Sequence, residues 1–173
     1  MMKDADARVR SILGSALFLI VAPGTVAGLA PWWISGWQAR PPFWRVPVLP
    51  ALGVLLVVVG VAVLLDSFFR FAVFGQGTPA PVSPTRKLVV VGWYRYVRNP
   101  MYLAVFSLII GQGLILSDFR LLEYGIVVWF CFHVFVLAYE EPTLRRTYGG
   151  EYDQFCANVP RWLPRLDAWS HPS

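Results

Sequence analysis

Apolar residues in this chain fall in long unbroken runs, not in the alternation of a half-buried strand or the stripe of a surface helix. Residues 48–65, VLPALGVLLVVVGVAVLL, carry no charge, and a run of this length reaches across the hydrocarbon core of a bilayer. It is predicted to be a transmembrane helix. Residues 101–117, MYLAVFSLIIGQGLILS, and 121–139, LLEYGIVVWFCFHVFVLAY, are separated only by Asp118, Phe119 and Arg120, a turn too short for anything but an antiparallel helical pair. Residues 11–34 form a further apolar stretch, with Pro23 and Gly24 near its centre. Proline removes a helix hydrogen bond there, so the stretch is expected as a kinked span or a short re-entrant hairpin. A secretory signal does not fit, because Pro31, Trp32 and Trp33 follow the run and more apolar segments come after. Trp32, Trp33, Trp37 and Trp44 suit an interfacial belt, with packing aromatics as the plainer account.

Composition carries the same message: 57% of residues are hydrophobic and 14% charged, which argues against a soluble fold, against disorder and against low-complexity structure. Two Cys and two His supply neither a disulfide scaffold nor a structural zinc site, so no metal is expected and both thiols are read as reduced. The fold class predicted is an all-α integral membrane protein of about four transmembrane helices, the first kinked or re-entrant, with a cytoplasmic C-terminal amphipathic helix. The net charge of +5 does not point to nucleic acid, because the basic residues lie between apolar runs. If all four segments cross once, one side receives twelve of them, including Lys3, Arg8, Arg10, Arg86, Lys87, Arg95, Arg98, Arg161 and Arg165, and the other only Arg40, Arg45 and Arg120. By the positive-inside rule, both termini and the 75–100 connection are cytoplasmic.

That connection opens with GQGTPAPVSP at residues 75–84, a loop by its prolines; Gly75 and Gly77 alone do not make a phosphate site, since no strand precedes them. WYRYVRNPMY at residues 93–102 then sets Arg95 and Arg98 among Tyr94, Tyr96 and Tyr102 immediately before a span. Guanidinium groups there hold a carboxylate or phosphate bidentately; the bland alternative is an anchor for anionic headgroups. Pro100 suits the first turn of a helix. Glu140 and Glu141 end the last span, and adjacent carboxylates beside a bilayer are costly unless solvated, paired or used. Pro142 is expected to push Glu141 out of helical geometry and break the span, with Leu144, Tyr148, Tyr152 and Cys156 forming the apolar stripe of the helix beyond. Gly111 and Gly113 interrupt the third span, through close packing or ligand approach. His133 and Glu123 are intramembrane polar groups, His133 as a site candidate or a histidine bonded to a neighbouring helix, and Glu123 close enough to an end to reach water.

Arg98-Asn99-Pro100-Met101-Tyr102, Glu140-Glu141 after one hairpin, Tyr148-Gly149-Gly150-Glu151-Tyr152 and Val159-Pro160-Arg161-Trp162-Leu163-Pro164 together resemble the isoprenylcysteine carboxyl methyltransferase and phospholipid methyltransferase superfamily. The resemblance covers roughly residues 75–166. It implies residues 1–74 as N-terminal membrane segments and 75–173 as a cofactor-binding core within one structural domain, in a membrane of the bacterial inner type. It further implies S-adenosylmethionine as cofactor, bound by Tyr96, Arg98, Asn99, Pro100, Tyr102, Gly111, Gly113, Glu140 and Glu141. Glu140, Glu141 and Arg161 would carry the catalytic work, and Arg145, Tyr148, Tyr152 and His133 would meet a lipid-like, amphiphilic acceptor. Arg145, Arg146 or Arg161 would steer an anionic head.

One departure bears on the acceptor. The family often has His where this chain has Asn99, and an amide cannot take up a proton near neutral pH. A carboxylate or thiolate attacks without a base, whereas an ammonium must first lose a proton. The expected acceptor is therefore an amphiphile with a carboxylate or thiol head, with phospholipid N-methylation as the alternative. An anionic-lipid anchor without catalysis is the reading from another class. A sterol reductase is a third, for which the chain is short.

Overall fold

The computed structural model describes residues 20–43, 46–74 and 88–170, with only the backbone of 71–74. The expectations for residues 11–19, Trp44, Arg45, the 75–84 loop, Lys3, Arg8, Arg10, Arg86 and Lys87 lie outside the described residues. Those described are helical, without strands: α1 (Ile20–Ser35), α2 (Val48–Phe74), α3 (Pro100–Leu116), α4 (Phe119–Tyr148) and α5 (Gly150–Asn158), with a 3₁₀ turn at Gly92–Arg95 before α3.

Among the described residues, two helices are long and apolar enough to cross a membrane, Val48–Arg70 and Phe119–Tyr148, and only 17% and 22% of their apolar windows are buried within the protein. A core helix of a soluble protein would be mostly covered; here Leu55, Val58, Leu65, Phe69, Ile126, Val127 and Phe130 point outward, as lipid-facing residues do. α1 and α3 are apolar but shorter.

Helices α2 and α3 pack antiparallel because small residues let their backbones meet. A Cβ on Gly53 would lie 2.6 Å from the Gly111 carbonyl oxygen, and one on Gly111 would lie 2.7 Å from that of Gly53; one helical stretch further on, Gly60 faces Ala104 and Leu108. The interior of this layer is Leu64, Phe68, Ala104, Val105, Ile109 and Val128.

The α3–α4 turn is tighter than the sequence suggests. Ser117 takes a left-handed conformation (φ 53°) and donates its N–H to the Gly113 carbonyl. Buried Asp118 then caps α4, accepting from the Arg120 backbone N–H at 3.0 Å and from its guanidinium at 2.6 and 3.0 Å. The cap draws Phe119 and Arg120 into the helix.

Helix α1 continues through Pro23 and Gly24, so the sharp reversal of a hairpin is absent from its described part. Instead a π turn spans Thr25–Leu29. Side chains from the bundle enter its hydrogen-bond ladder: Tyr124 donates its hydroxyl to the Val26 carbonyl at 3.0 Å and Gln112 its amide to that of Ala27 at 2.7 Å. Capture of carbonyls by outside donors is an established cause of a widened turn.

Pro142 does not break α4, contrary to the sequence expectation, and Glu141 is helical (φ −60°, ψ −44°). The proline ring would collide with a carbonyl one turn earlier. A π turn at Val136–Glu140, in which the Glu141 N–H reaches back to the Val136 carbonyl, inserts the extra residue that makes room. The helix ends at Gly149, whose φ of 54° and ψ of −127° suit glycine. Leu144 and Tyr148 on α4 and Cys156 on α5 still meet, around Tyr152, Phe155, Val159 and Trp169.

Candidate functional site

Three pieces of chain converge over the last two to three turns of α4: residues 95–99 ahead of α3, the Glu140–Glu141 pair, and the irregular tail after α5. Backbone bonds fasten the tail to the 95–99 segment. The Arg98 N–H donates to the Pro160 carbonyl at 2.9 Å, Arg165 to that of Tyr96 at 3.0 Å and Trp169 to that of Arg95 at 3.0 Å. The Arg95 guanidinium returns a bond to the Trp169 carbonyl at 2.7 Å. Asn99, the residue before α3, does not cap that helix with its side chain; its amide N–H donates to the Arg161 carbonyl at 3.2 Å. Asn99 thus positions the tail, a role its donor suits and its lack of a titratable proton does not hinder.

The adjacent carboxylates point in different directions, because successive residues on a helix are separated by about 100°. Glu141 faces the tail. Its Oε1 accepts from Arg98 Nη1 at 2.9 Å and from Arg161 Nε at 2.6 Å, and its Oε2 from Arg161 Nη2 at 2.9 Å. The Arg161 fork is bidentate, the geometry in which guanidinium holds carboxylate best, and Glu141 raises the Arg161 pKa further above its usual range. Arg98 Nη1 also lies 2.9 Å from the Cys156 sulfur, and its Nε is buried with no hydrogen-bond partner.

Glu140 faces α3. Its Oε2 accepts from the Tyr102 hydroxyl at 2.6 Å, and among the described residues no cation pairs with it. One turn of helix thus carries a carboxylate neutralised by two guanidinium groups beside one with none. Charge in poorly solvated surroundings is costly without a counter-charge.

Beyond Tyr102 the lining is aromatic. Tyr102 packs on Phe132 at 4.8 Å and approaches Trp162 edge-on at 6.5 Å, while His133 stacks on Trp129 at 5.2 Å. The Trp162 indole N–H donates to His133 Nδ1 at 3.0 Å.

Of the residues singled out from sequence, Arg98, Asn99, Pro100, Tyr102, Glu140, Glu141 and Arg161 come together, and His133 joins them through Trp162. The others have further contacts, and Arg145 also acts electrostatically on Glu141. The Tyr96 ring packs on Trp93, with centroids 6.1 Å apart. Gly111 is spent on the α2 contact, and Gly113 lies against Leu121 and Leu122. Arg145 turns outward to Asp153 at 2.7 Å, with both side chains more than half exposed. Tyr148 and buried Tyr152 belong to the apolar cluster under α5, where burial pushes the Tyr152 phenol pKa up. Exposed Glu123 takes no part. Trp162, Trp129 and Phe132 were missed. Trp162 lies inside the Val159–Pro164 motif, but nothing local in its sequence tells that its indole reaches α4.

The fold and site define an all-helical membrane protein with a polar, charge-paired corner at one end of a helical hairpin. Residues 48–151, more than half of the chain, match the phospholipid methyltransferase family, and the chain belongs to that family. It is also 33% identical over 80 residues to the Protein-S-isoprenylcysteine O-methyltransferase of Schizosaccharomyces pombe, covering 46% of this chain and 34% of that protein. It is 30% identical over 81 residues to the Delta(14)-sterol reductase LBR of Gallus gallus, covering 46% of this chain and 13% of the reductase. The matched part of the chain therefore spans 34% and 13% of the length of these two relatives.

Proposed function

We propose that the chain is an S-adenosylmethionine-dependent methyltransferase that modifies an amphiphilic acceptor at the membrane. The observation that carries this reading is the contrast at the α4 corner, where Glu141 is paired by Arg98 and Arg161 while half-buried Glu140, among the described residues, has only the Tyr102 hydroxyl. A sulfonium cofactor with an ammonium group matches an anionic, partly aromatic site that lacks its own cation. When bound, it would supply a methyl group activated by a sulfonium, whose sulfur departs as a neutral thioether. Glu140 and Tyr102 would face its positive charge, and Arg98 and Arg161, through Glu141, would hold the tail across the corner. Chemistry of this kind asks the protein for alignment and water exclusion more than for acid or base.

The acceptor fits the same division of labour. A carboxylate or a thiolate, already deprotonated, attacks without a base, and Asn99 offers none. A second reading, N-methylation of a phospholipid amine, is favoured by Glu140 itself, since a carboxylate free of guanidinium partners can accept the proton an ammonium must lose. Charge placement and apolar runs support an arrangement with four crossings, cytoplasmic termini and a cytoplasmic corner in an inner membrane of bacterial type.

The experiment is turnover by purified protein with radiolabelled S-adenosylmethionine, total native lipids and a panel of prenylated or acylated thiols and acids. Label in the thiols or acids is the expected result. Label chiefly in methylated phosphatidylethanolamines assigns the proton to Glu140. Cofactor binding without any turnover favours a non-catalytic relative, and absence of both supports an anionic-lipid anchor.

A further inference from the structure

Two arginines from distant parts of the chain meet one carboxylate at the turn between α3 and α4. Asp118, wholly buried, accepts from the Arg120 backbone N–H and Nε through Oδ1 and from Arg120 Nη2 through Oδ2. Arg40, from the chain between α1 and α2, brings its Nε to 3.5 Å from the same Oδ2, beyond the length of an ordinary N–H···O bond. The Arg40 backbone N–H donates to the Leu116 carbonyl at 2.9 Å, which fixes it over the end of α3. One negative charge thus faces two positive ones. Both arginine side chains are about half exposed, and among the described residues Arg120 Nη1 and Arg40 Nη1 and Nη2 have no hydrogen-bond partner.

Asp118 and Glu140 are 22 residues apart, roughly 33 Å along a helix. That length matches the ~30 Å hydrocarbon core of a bilayer, so with α4 as a span the arginine pair falls at headgroup level, at the end of the bundle opposite Glu140. Exposed rings accompany it. Phe119 packs on buried Phe43 with centroids 4.2 Å apart and leaves about half of its surface open. Trp37 is exposed, and its indole N–H donates to Gln112 Oε1 at 3.2 Å. Gln112 lies one helical turn before Leu116, about 6 Å deeper along α3. Trp37 also has a left-handed backbone, φ 52°, directly after Gly36 at φ 60°, a conformation that a bulky residue takes only where its surroundings impose it. From the outside inward the order is guanidinium, then ring, as phosphate and the upper acyl region follow one another in a lipid.

We infer that Arg40 and Arg120 hold the phosphodiester headgroup of an anionic phospholipid, with Trp37 and Phe119 against its glycerol and first acyl carbons. Charge selects this occupant. A phosphodiester with an uncharged head, as in phosphatidylglycerol, brings the one negative charge that balances the surplus, whereas phosphatidylcholine and phosphatidylethanolamine are neutral overall. Guanidinium forks match phosphate oxygens in pairs, and the rings give a lipid contacts that free phosphate cannot make. The bound lipid fixes the α3–α4 turn in the interface. This surface lies outside the proposed methyltransferase site and does not rest on that reading.

The test is native mass spectrometry of the full chain released from mixed micelles holding equal amounts of phosphatidylglycerol, phosphatidylethanolamine and phosphatidylcholine. Wild type, Arg40→Gln and Arg120→Gln are compared, with exposed Arg146→Gln as a control at the other end of α4. Phosphatidylglycerol is expected to exceed both zwitterionic lipids on the wild type and on Arg146→Gln. On Arg40→Gln it is expected to fall about fivefold, the ratio that one basic residue contributes at a lipid surface. A wild type without this preference overturns the proposal, as does a fall in Arg146→Gln as large as that in Arg40→Gln. Arg40→Gln leaves Arg120 on Asp118 and so keeps the turn; if Arg120→Gln does not fold by circular dichroism, Arg40→Gln decides alone. Inorganic phosphate at the lipid concentration is expected to leave bound phosphatidylglycerol unchanged, and its displacement would mark a site for a soluble anion in place of a lipid.

Discussion

Neighbouring glutamates with different partners respond differently to the same substitution. Glu141→Gln leaves Arg98 and Arg161 facing an amide, with the Arg98 side chain only 11% exposed, and stranding a buried charge is strongly destabilising. Arg161 is partly solvated, so the expected cost is about 2–3 kcal/mol, seen as a melting midpoint in detergent lowered by about 5 °C or more. Glu140→Gln keeps an acceptor for the Tyr102 hydroxyl and breaks no ion pair. Its melting is expected to match the wild type, while S-adenosylmethionine affinity falls at least about fivefold by calorimetry. The opposite pattern, a stable Glu141→Gln and an unfolded Glu140→Gln, would show that the roles are exchanged. Both glutamates, Arg98 and Arg161 were legible as chemistry in the sequence. Which carboxylate receives the arginines was not, because that depends on a tail some twenty residues away returning to α4.

Among the elements, the α3–α4 hairpin depends on a single acid. Bonds from Arg120 lower the Asp118 pKa below the usual aspartate range, against a desolvation cost that acts to raise it. An unfolded aspartate titrates near ~3.9. Since the folded value is lower, the unfolded chain binds more protons at pH values between the two. The stabilisation from Asp118 is therefore complete above about pH 5 and is lost as pH falls through the depressed folded value. Asp118→Asn is expected to lower the melting midpoint at neutral pH and to flatten its fall between about pH 5 and 3. Parallel wild-type and variant curves over that window would count against this role. The helices themselves were readable from apolar runs, including the hairpin. The two π turns were not, since each answers to a distant or bulky group: Tyr124 and Gln112 at α1, the Pro142 ring at α4. Proline was read as a break because its local effect is to end a helix; one extra residue in the preceding turn absorbed it.

For the whole molecule, charge asymmetry makes a definite prediction of orientation. Cysteine introduced at Ser83 is expected to react with an impermeant maleimide only from the cytoplasmic side, and at Gln38 only from the other. Reaction of both from one side would mean that the first apolar segment does not cross. The sequence by itself determined that the chain is helical and apolar enough for a membrane, where its hairpin lies, and which residues carry charge at its corner. Those properties follow from local length, composition and order. Tertiary structure alone decided that Glu141 is clamped and Glu140, among the described residues, is not, that Gly111 packs against Gly53, and that Trp162 reaches His133. Each of these is a contact between residues far apart in the chain. Hydrophobic burial selects elements without naming their partners, whereas a hydrogen bond or an ion pair forms only where the folded backbone brings two groups within about 3 Å.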